Sequence, residues 1–182
     1  VKYSLVNSLE ELKKIINDIN DTGHFVFDVE TDSLNIIEAN LVGVSVCFDF
    51  KNAYYIPLQH KDALNAVIQE QIPMKDFMNE MKLLMQDESI IKIGHNIKYD
   101  ISILKKYDLE VKSYEDTMLM SYSCDAGVNR HGMDELARIH LNRETIKFKD
   151  VVGSGKSQLT FDQVDLKRAT EYAAEDAEIT YK

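Results

Sequence analysis

Asp28 and Glu30 stand two residues apart in a run, 24–30, that is rich in β-forming residues. Strand alternation projects both carboxylates from one face and turns Phe25, Phe27 and Val29 to the other. Two hard oxygen donors on one face can share a divalent cation. The same Asp-x-Glu spacing recurs at Asp108/Glu110 and Asp176/Glu178, so spacing alone is weak. What distinguishes the first pair is its setting beside Phe25, Val26 and Phe27, close to a core where unpaired charge is expensive. Asn96 and Asp100, after the strand-like run 90–94, and Tyr172 and Asp176, near the chain end, are each four residues apart, which puts each pair on one helical face. Taken singly, Asn96 reads as a helix N-cap, and Asp100 and the Tyr/Asp pair read as solvated helix surface. Together the three segments form an ordered set of acids with no clustered His or Cys, which favours Mg²⁺ or Mn²⁺ over structural zinc.

The elements that must position these residues follow from periodicity. Ser8-Leu9-Glu10-Glu11 has capping-box spacing, and Leu9, Leu12, Ile15, Ile16 and Ile19 recur at helical intervals, predicting a helix over 9–21. Strands over 24–30, 41–48 and 53–57 in succession predict an antiparallel meander. Phe77, Met78, Met81, Leu84 and Met85 predict a helix whose stripe is core, followed by a strand over 90–94 and helices over 96–107 and 132–141. Small residues Ala173 and Ala174 permit close packing of the last helix, which a second capping box at Thr160-Phe161-Asp162-Gln163 opens and which is expected to run from about 161 to the end. Strands first and alternation with helices afterwards predict an α/β class with a mixed sheet. Only two prolines and no repeat or low-complexity tract occur, so 1–182 is expected to be a single domain. The last helix lacks a stop signal, which suggests that the chain was cut from something longer.

The three acidic segments, with Tyr in place of His beside the last Asp, resemble the exonuclease superfamily named for its four acidic residues. The stretches FDVETDSL (27–34), IGHNIKYDISIL (93–104), HGMDELA (131–137), GSGKSQLTF (153–161) and YAAEDAEIT (172–180) make the chain similar to the 3′-5′ proofreading domain of family A, bacterial polymerase I-type DNA polymerases. That resemblance implies a ribonuclease H-like, or DnaQ-like, fold with a mixed central sheet flanked by helices. It implies catalysis by Asp28, Glu30, Asp100, Tyr172 and Asp176 with two divalent cations: Asp28 bridging both, Glu30 and Asp176 on the nucleophile side, Asp100 holding the other largely through water, and Tyr172 orienting the attacking water. Thr31, Leu34, His95, Asn96 and Tyr99 match positions that contact terminal nucleotides, Leu34 as an apolar wedge, with an ordinary core leucine as its alternative. Phe148 is a candidate for base stacking and Arg130, with His131, for phosphate contact. His95 stands where glutamine is often found, which leaves its contact open. The implied partners are a single-stranded DNA 3′ end and a polymerase domain following Lys182, the domain itself being monomeric and cytoplasmic, in an organelle if a targeting peptide has been removed.

Composition sets limits on these readings. The formal net charge of −10 opposes strong unaided DNA binding, because phosphate neutralisation supplies most non-specific affinity. No apolar run approaches the ~18 residues of a membrane span, and the start has no secretory-signal pattern. Cys47 and Cys124 show no C-x-x-C spacing and are expected to be reduced structural residues. Gly153-Ser154-Gly155-Lys156-Ser157 fails as a P-loop, since the position needing its first glycine is Asp150. Two other functions fit the acids: RNA trimming of the ribonuclease D kind, against which GSGKSQLTF weighs, and a non-catalytic DNA-guiding module.

Overall fold

The computed structural model describes residues 1–182, apart from the side chain of Lys156. Helix α1 (Leu9–Thr22) starts at Ser8, whose Oγ accepts the Glu11 N–H at 3.3 Å. It ends at Gly23, where φ is 73°, a left-handed conformation open to glycine without a Cβ clash. Strands β1 (Lys2–Leu5), β2 (His24–Thr31), β3 (Leu41–Cys47), β4 (Asn52–Pro57), β5 (Ile91–Gly94) and β6 (Tyr114–Asp116) form one sheet in the order β1-β4-β3-β2-β5-β6. The expected meander is present as β2-β3-β4, antiparallel throughout, while β1 joins β4 and β5 joins β2 in parallel. The sheet is therefore mixed, with helices on both faces.

The alternation of β2 divides the core. Phe25, Phe27 and Val29 pack with Leu12 and Ile15 of α1, with Phe77 and Met81 of α2 (Met74–Gln86) and with Leu104 of α3 (Lys98–Lys105). Val26 faces the opposite side, against Ala174 and Ala177 of α7 (Leu166–Tyr181). Ala169 and Ala173 of the same helix pack on Val42 and Tyr55. With alanine at each contact the helix backbone lies close to the sheet and orders almost no side-chain freedom in doing so. Asp28 and Glu30, in phase with Val26, are thereby directed at α7.

Several elements differ from the sequence expectation. β1, β6, α4 (Thr117–Asp125) and α6 (Phe148–Val152) are additional. They are short, and α4 buries none of its residues, so no amphipathic stripe marks it. The helix expected over 96–107 is shorter, and Asn96 lies outside it at φ 63°, so Asn96 neither shares a helical face with Asp100 nor serves as the N-cap, which is Ile97. The long helix expected from 161 is two elements. The Thr160/Gln163 box closes a 3-10 turn, Phe161–Gln163, and α7 begins separately with Asp165 accepting the Lys167 and Arg168 N–H groups. Cys47 is buried but Cys124 is exposed, and both are free thiols. No helix among the described residues is long and apolar enough to cross a membrane.

One close approach underlies the acidic strand. Gly43 of β3 pairs with Glu30 of β2, and the fully buried Tyr55 ring lies over it. A Cβ at Gly43 would fall 2.2 Å from Tyr55 Oη and 2.5 Å from Cζ. The ring cannot swing away, because Tyr55 Oη is bonded at 2.7 Å to His60 Nε2, whose Nδ1–H donates to the Val164 carbonyl. Burial drives the His60 pKa down to about 4, which keeps the ring neutral and Nε2 an acceptor. Gly43→Ala is accordingly expected to destabilise the domain by ~1–3 kcal/mol through overpacking, measured as a fall in the urea unfolding midpoint. An unchanged midpoint would show that the Tyr55 ring has room to move.

Candidate active site

Three elements converge on the α7 face of β2. Asp28 and Glu30 come from the strand and Asp176 from α7, and a carboxylate oxygen of each lies within 4.8 Å of the others. Asp100, in the first turn of α3, accepts the Val29 N–H at 2.9 Å, which ties its carboxylate to the backbone between the two strand acids. Tyr172, one turn before Asp176, packs edge-on against Phe148 and tilted against Phe161. The five residues proposed from sequence thus lie together.

No lysine or arginine among the described residues pairs with Asp28, Glu30, Asp100 or Asp176. Their electrostatics follow from that. Burial raises the Asp28 pKa to about 7. Burial, then the charges of Asp28, Asp176 and Asp100, hold Glu30 well above the usual carboxylate range, and burial followed by Asp28 does the same to Asp100 and Asp176. Glu30 Oε1 is buried without a hydrogen-bond partner. An orphaned buried oxygen beside two further carboxylates fits a hard cation and fits little else in a protein interior. The Tyr172 phenol is pushed upward by burial and then by Glu30 and Asp176, so it stays protonated and acts as a hydrogen-bond donor.

The expected strand-contacting residues fall into three groups. Thr31, Leu34 and Phe148 line one cleft of about 410 Å³ with Leu159 and Phe161. Leu34 is 88% exposed at its rim, which excludes the core-leucine alternative. Tyr99 Oη lies 2.7 Å from Thr31 Oγ1 and 2.9 Å from the Ser33 carbonyl, so it braces the segment that carries Leu34. His95 and Asn96 occupy the turn between β5 and α3, where His95 Nδ1 is 2.8 Å from Thr117 Oγ1. Arg130 is exposed in the segment between α4 and α5 (Met133–Leu141) and lines neither the Leu34 cleft nor the cavity at His95.

Sequence reasoning missed the supports of this site. Asp116 accepts the Asn96 and Ile97 N–H groups, and its single sequence mark is an N-cap residue type before Thr117-Met118-Leu119. Arg143 pairs with Glu175 and Glu178 at 2.7 and 2.8 Å and fixes the side of α7 away from the acids. Glu175 also accepts the Ile146 N–H at 2.6 Å, which places Phe148 two residues on. Nothing local in the sequence marks those partners.

A raised carboxylate pKa makes the folded state retain a proton that the unfolded chain has lost, so stability falls as pH climbs through that interval. For Asp28 the interval runs from 3.8 to about 7. Cation-free Asp28→Asn is therefore expected to melt above the parent by a margin that widens over this range, and millimolar Mg²⁺ or Mn²⁺ should restore the parent. A margin that does not change with pH in thermal denaturation would contradict this account of the acidic cluster.

The geometry agrees with comparisons to known proteins. Residues 3–182 match the family described as 3′-5′ exonuclease. DNA polymerase I of Rhizobium leguminosarum is 42% identical over 99% of this chain, which spans 19% of that relative's length. Among solved structures, Mg²⁺-bound NrnC of Brucella melitensis superposes with a TM-score of 0.68 at 22% identity, over 98% of this chain and 76% of that one. Escherichia coli RNase D, an exoribonuclease, gives 0.70 at 14%, over 98% and 42%. At such identities these two likenesses carry the fold alone, and that fold is the ribonuclease H-like, DnaQ-like one: a mixed sheet flanked by helices. With the family matched across nearly its whole length, the chain belongs to the 3′-5′ exonuclease domain family of polymerase I-type, family A DNA polymerases.

Proposed function

We propose that this domain hydrolyses single-stranded or frayed DNA 3′ ends to nucleoside monophosphates, with two divalent cations held by Asp28, Glu30, Asp100 and Asp176. The observation that carries the reading is the group of four largely buried carboxylates without a protein counter-ion, Glu30 Oε1 lacking any partner. Bound Mg²⁺ or Mn²⁺ would supply an activated water and stabilise the leaving 3′ oxygen. Asp28, Glu30 and Asp176 would hold the ion on the nucleophile side, and Asp28 with Asp100 would hold the one on the leaving-group side.

The protein's own part is positioning. Tyr172 offers a neutral O–H beside Glu30 and Asp176, suited to orienting a water and unsuited to removing its proton. Leu34 and Phe148 flank one cleft and present apolar faces to the last bases, which stacking accepts without regard to sequence. Selectivity for errors then comes from the strand end itself, since a mismatched end unpairs at lower cost. DNA is favoured over RNA because the chain's curated relatives are DNA polymerases, whereas the likeness to RNase D is one of fold.

The chain spans about a fifth of the curated relatives' length. Proofreading for a polymerase domain C-terminal to Lys182 is the setting we infer, with residues 1–182 as one monomeric, cytoplasmic catalytic unit. A net charge of −10 accords with DNA being captured chiefly by such a neighbour.

Asp28→Ala should lose ~10³-fold or more in mononucleotide release from a labelled DNA 3′ end, the equivalent of several kcal/mol of transition-state stabilisation. Activity equal to the parent's would remove the metal site from the mechanism. Tyr172→Phe should lose roughly 10²-fold in kcat through a misplaced water while Mn²⁺ affinity is unchanged. Undiminished turnover would strip Tyr172 of its role, and preference for an RNA strand over its DNA equivalent would reverse the substrate assignment.

A further inference from the structure

Helix α3 carries Tyr99 and Asp100 but has no cap of its own. Its N-cap is Ile97, which offers no side-chain hydrogen bond. The two amides at its entry are met from the adjacent strand β6, where Asp116 Oδ1 accepts Asn96 N–H and Oδ2 accepts Ile97 N–H, both at 3.1 Å. The same carboxylate caps α4 by accepting Met118 and Leu119 N–H at 2.9 and 3.3 Å. One side chain, 9% exposed, thus serves four amides at two helix N-termini, where a negative charge is also favoured by both dipoles.

The turn that Asp116 grips is tightly specified. Gly94 pairs in register with Asp116, and a Cβ on Gly94 would fall 2.7 Å from Ile97 Cγ1. Asn96 is held at φ 63°, a region uncommon for side-chain-bearing residues. Thr117 Oγ1, adjacent to Asp116, takes the His95 ring at 2.8 Å and contacts the Gly94 carbonyl at 3.3 Å. His95, Asn96, Tyr99 and Asp100 therefore all take their places from a turn whose backbone is pinned by one carboxylate on the edge strand.

We propose that Asp116 is a positioning residue of the exonuclease reaction: by holding the entry to α3 and capping α4 at once it fixes the 94–100 turn that sets Tyr99 against the Thr31–Ser33 segment carrying Leu34 and Asp100 against the acidic cluster. The proposal rests on the exonuclease reading above. Asp28, Glu30 and Asp176 stand on β2 and α7, outside this grip, so loss of Asp116 should weaken strand binding and leave the affinity of those three acids for Mn²⁺ as it was.

The test is steady-state hydrolysis of a short single-stranded DNA with Mg²⁺ by the parent, Asp116→Asn, Asp116→Ala and Thr117→Val, alongside calorimetric Mn²⁺ titration and melting. Asparagine keeps one acceptor oxygen but turns an amide toward a second N–H donor, so kcat/KM should descend from parent to Asn to Ala. KM is expected to rise ~10-fold or more in Asp116→Asn, assayed well below its melting point, since misplacement by about an ångström costs up to ~10²-fold. Thr117→Val frees the His95 ring and the Gly94 carbonyl while leaving Asp116 in place, so it should raise KM less, and it tests the turn should the alanine variant fail to fold. A role in stability alone would lower the melting temperature and leave KM at the parent value, which would overturn the proposal, as would Asp116→Asn and Thr117→Val both matching the parent. A parent protein that releases no nucleotide with Mg²⁺ or Mn²⁺ would sink the exonuclease reading and this inference with it, whereas an active parent with indifferent variants sinks this inference alone.

Discussion

Carboxylates withdrawn from water lose hydration and repel one another, and both penalties grow as the surroundings become less polar. The architecture is arranged around that constraint at β2 and α7, where oxygens of Asp28, Glu30 and Asp176 approach within 4.8 Å. Helix α7 treats its acids in two ways. Glu175 and Glu178 point to Arg143 and Lys182 and are neutralised within the protein. Asp176, between them in sequence but on another face, has no such partner. Asp176 is thus left beside Asp28 and Glu30 without a protein counter-ion, which accords with the proposed cation site.

Holding unpaired acids in place requires rigidity supplied by other contacts. The alanine face of α7 seats the helix against the sheet, and Arg143 ties it to Tyr3 of β1 through Glu178 and directly. The Phe161 turn is bound from the opposite side, by His60 through the Val164 carbonyl and by Lys61 to Asp162 at 2.6 Å. Phe161 in turn stacks on Phe148 and packs on Tyr172. The residue with a proposed role beside the acids and the aromatic face with a proposed role toward the bases thus belong to one packed group, so displacement of either is felt by the other.

Much of this was legible along the chain. The α1 and α2 stripes, the three-strand meander and the alternation that separates Phe25, Phe27 and Val29 from Asp28 and Glu30 are local periodicities, set by backbone geometry within a few residues. The grouping of the acids was legible only as an ordered set, because Asp28/Glu30, Asp100 and Tyr172/Asp176 are each weak signals alone and gain meaning from their order along the chain and the resemblance that order carries. Less legible were β6, three residues long, and α4, which buries nothing and so carries no amphipathic pattern.

By itself, then, the sequence determined the residue types, the strand and helix periods and the order of the acidic segments, all of which are encoded over short stretches. Only the tertiary structure decided that Asn96 leaves the helix, that the Thr160/Gln163 box closes a separate turn, and that Asp116 caps α3 from 20 residues away. The reason is the same in each case. A backbone N–H donates to whichever oxygen the sheet brings beside it, and the parallel pairing of β5 with β6 sets Asp116 next to Gly94, a juxtaposition that no local spacing records.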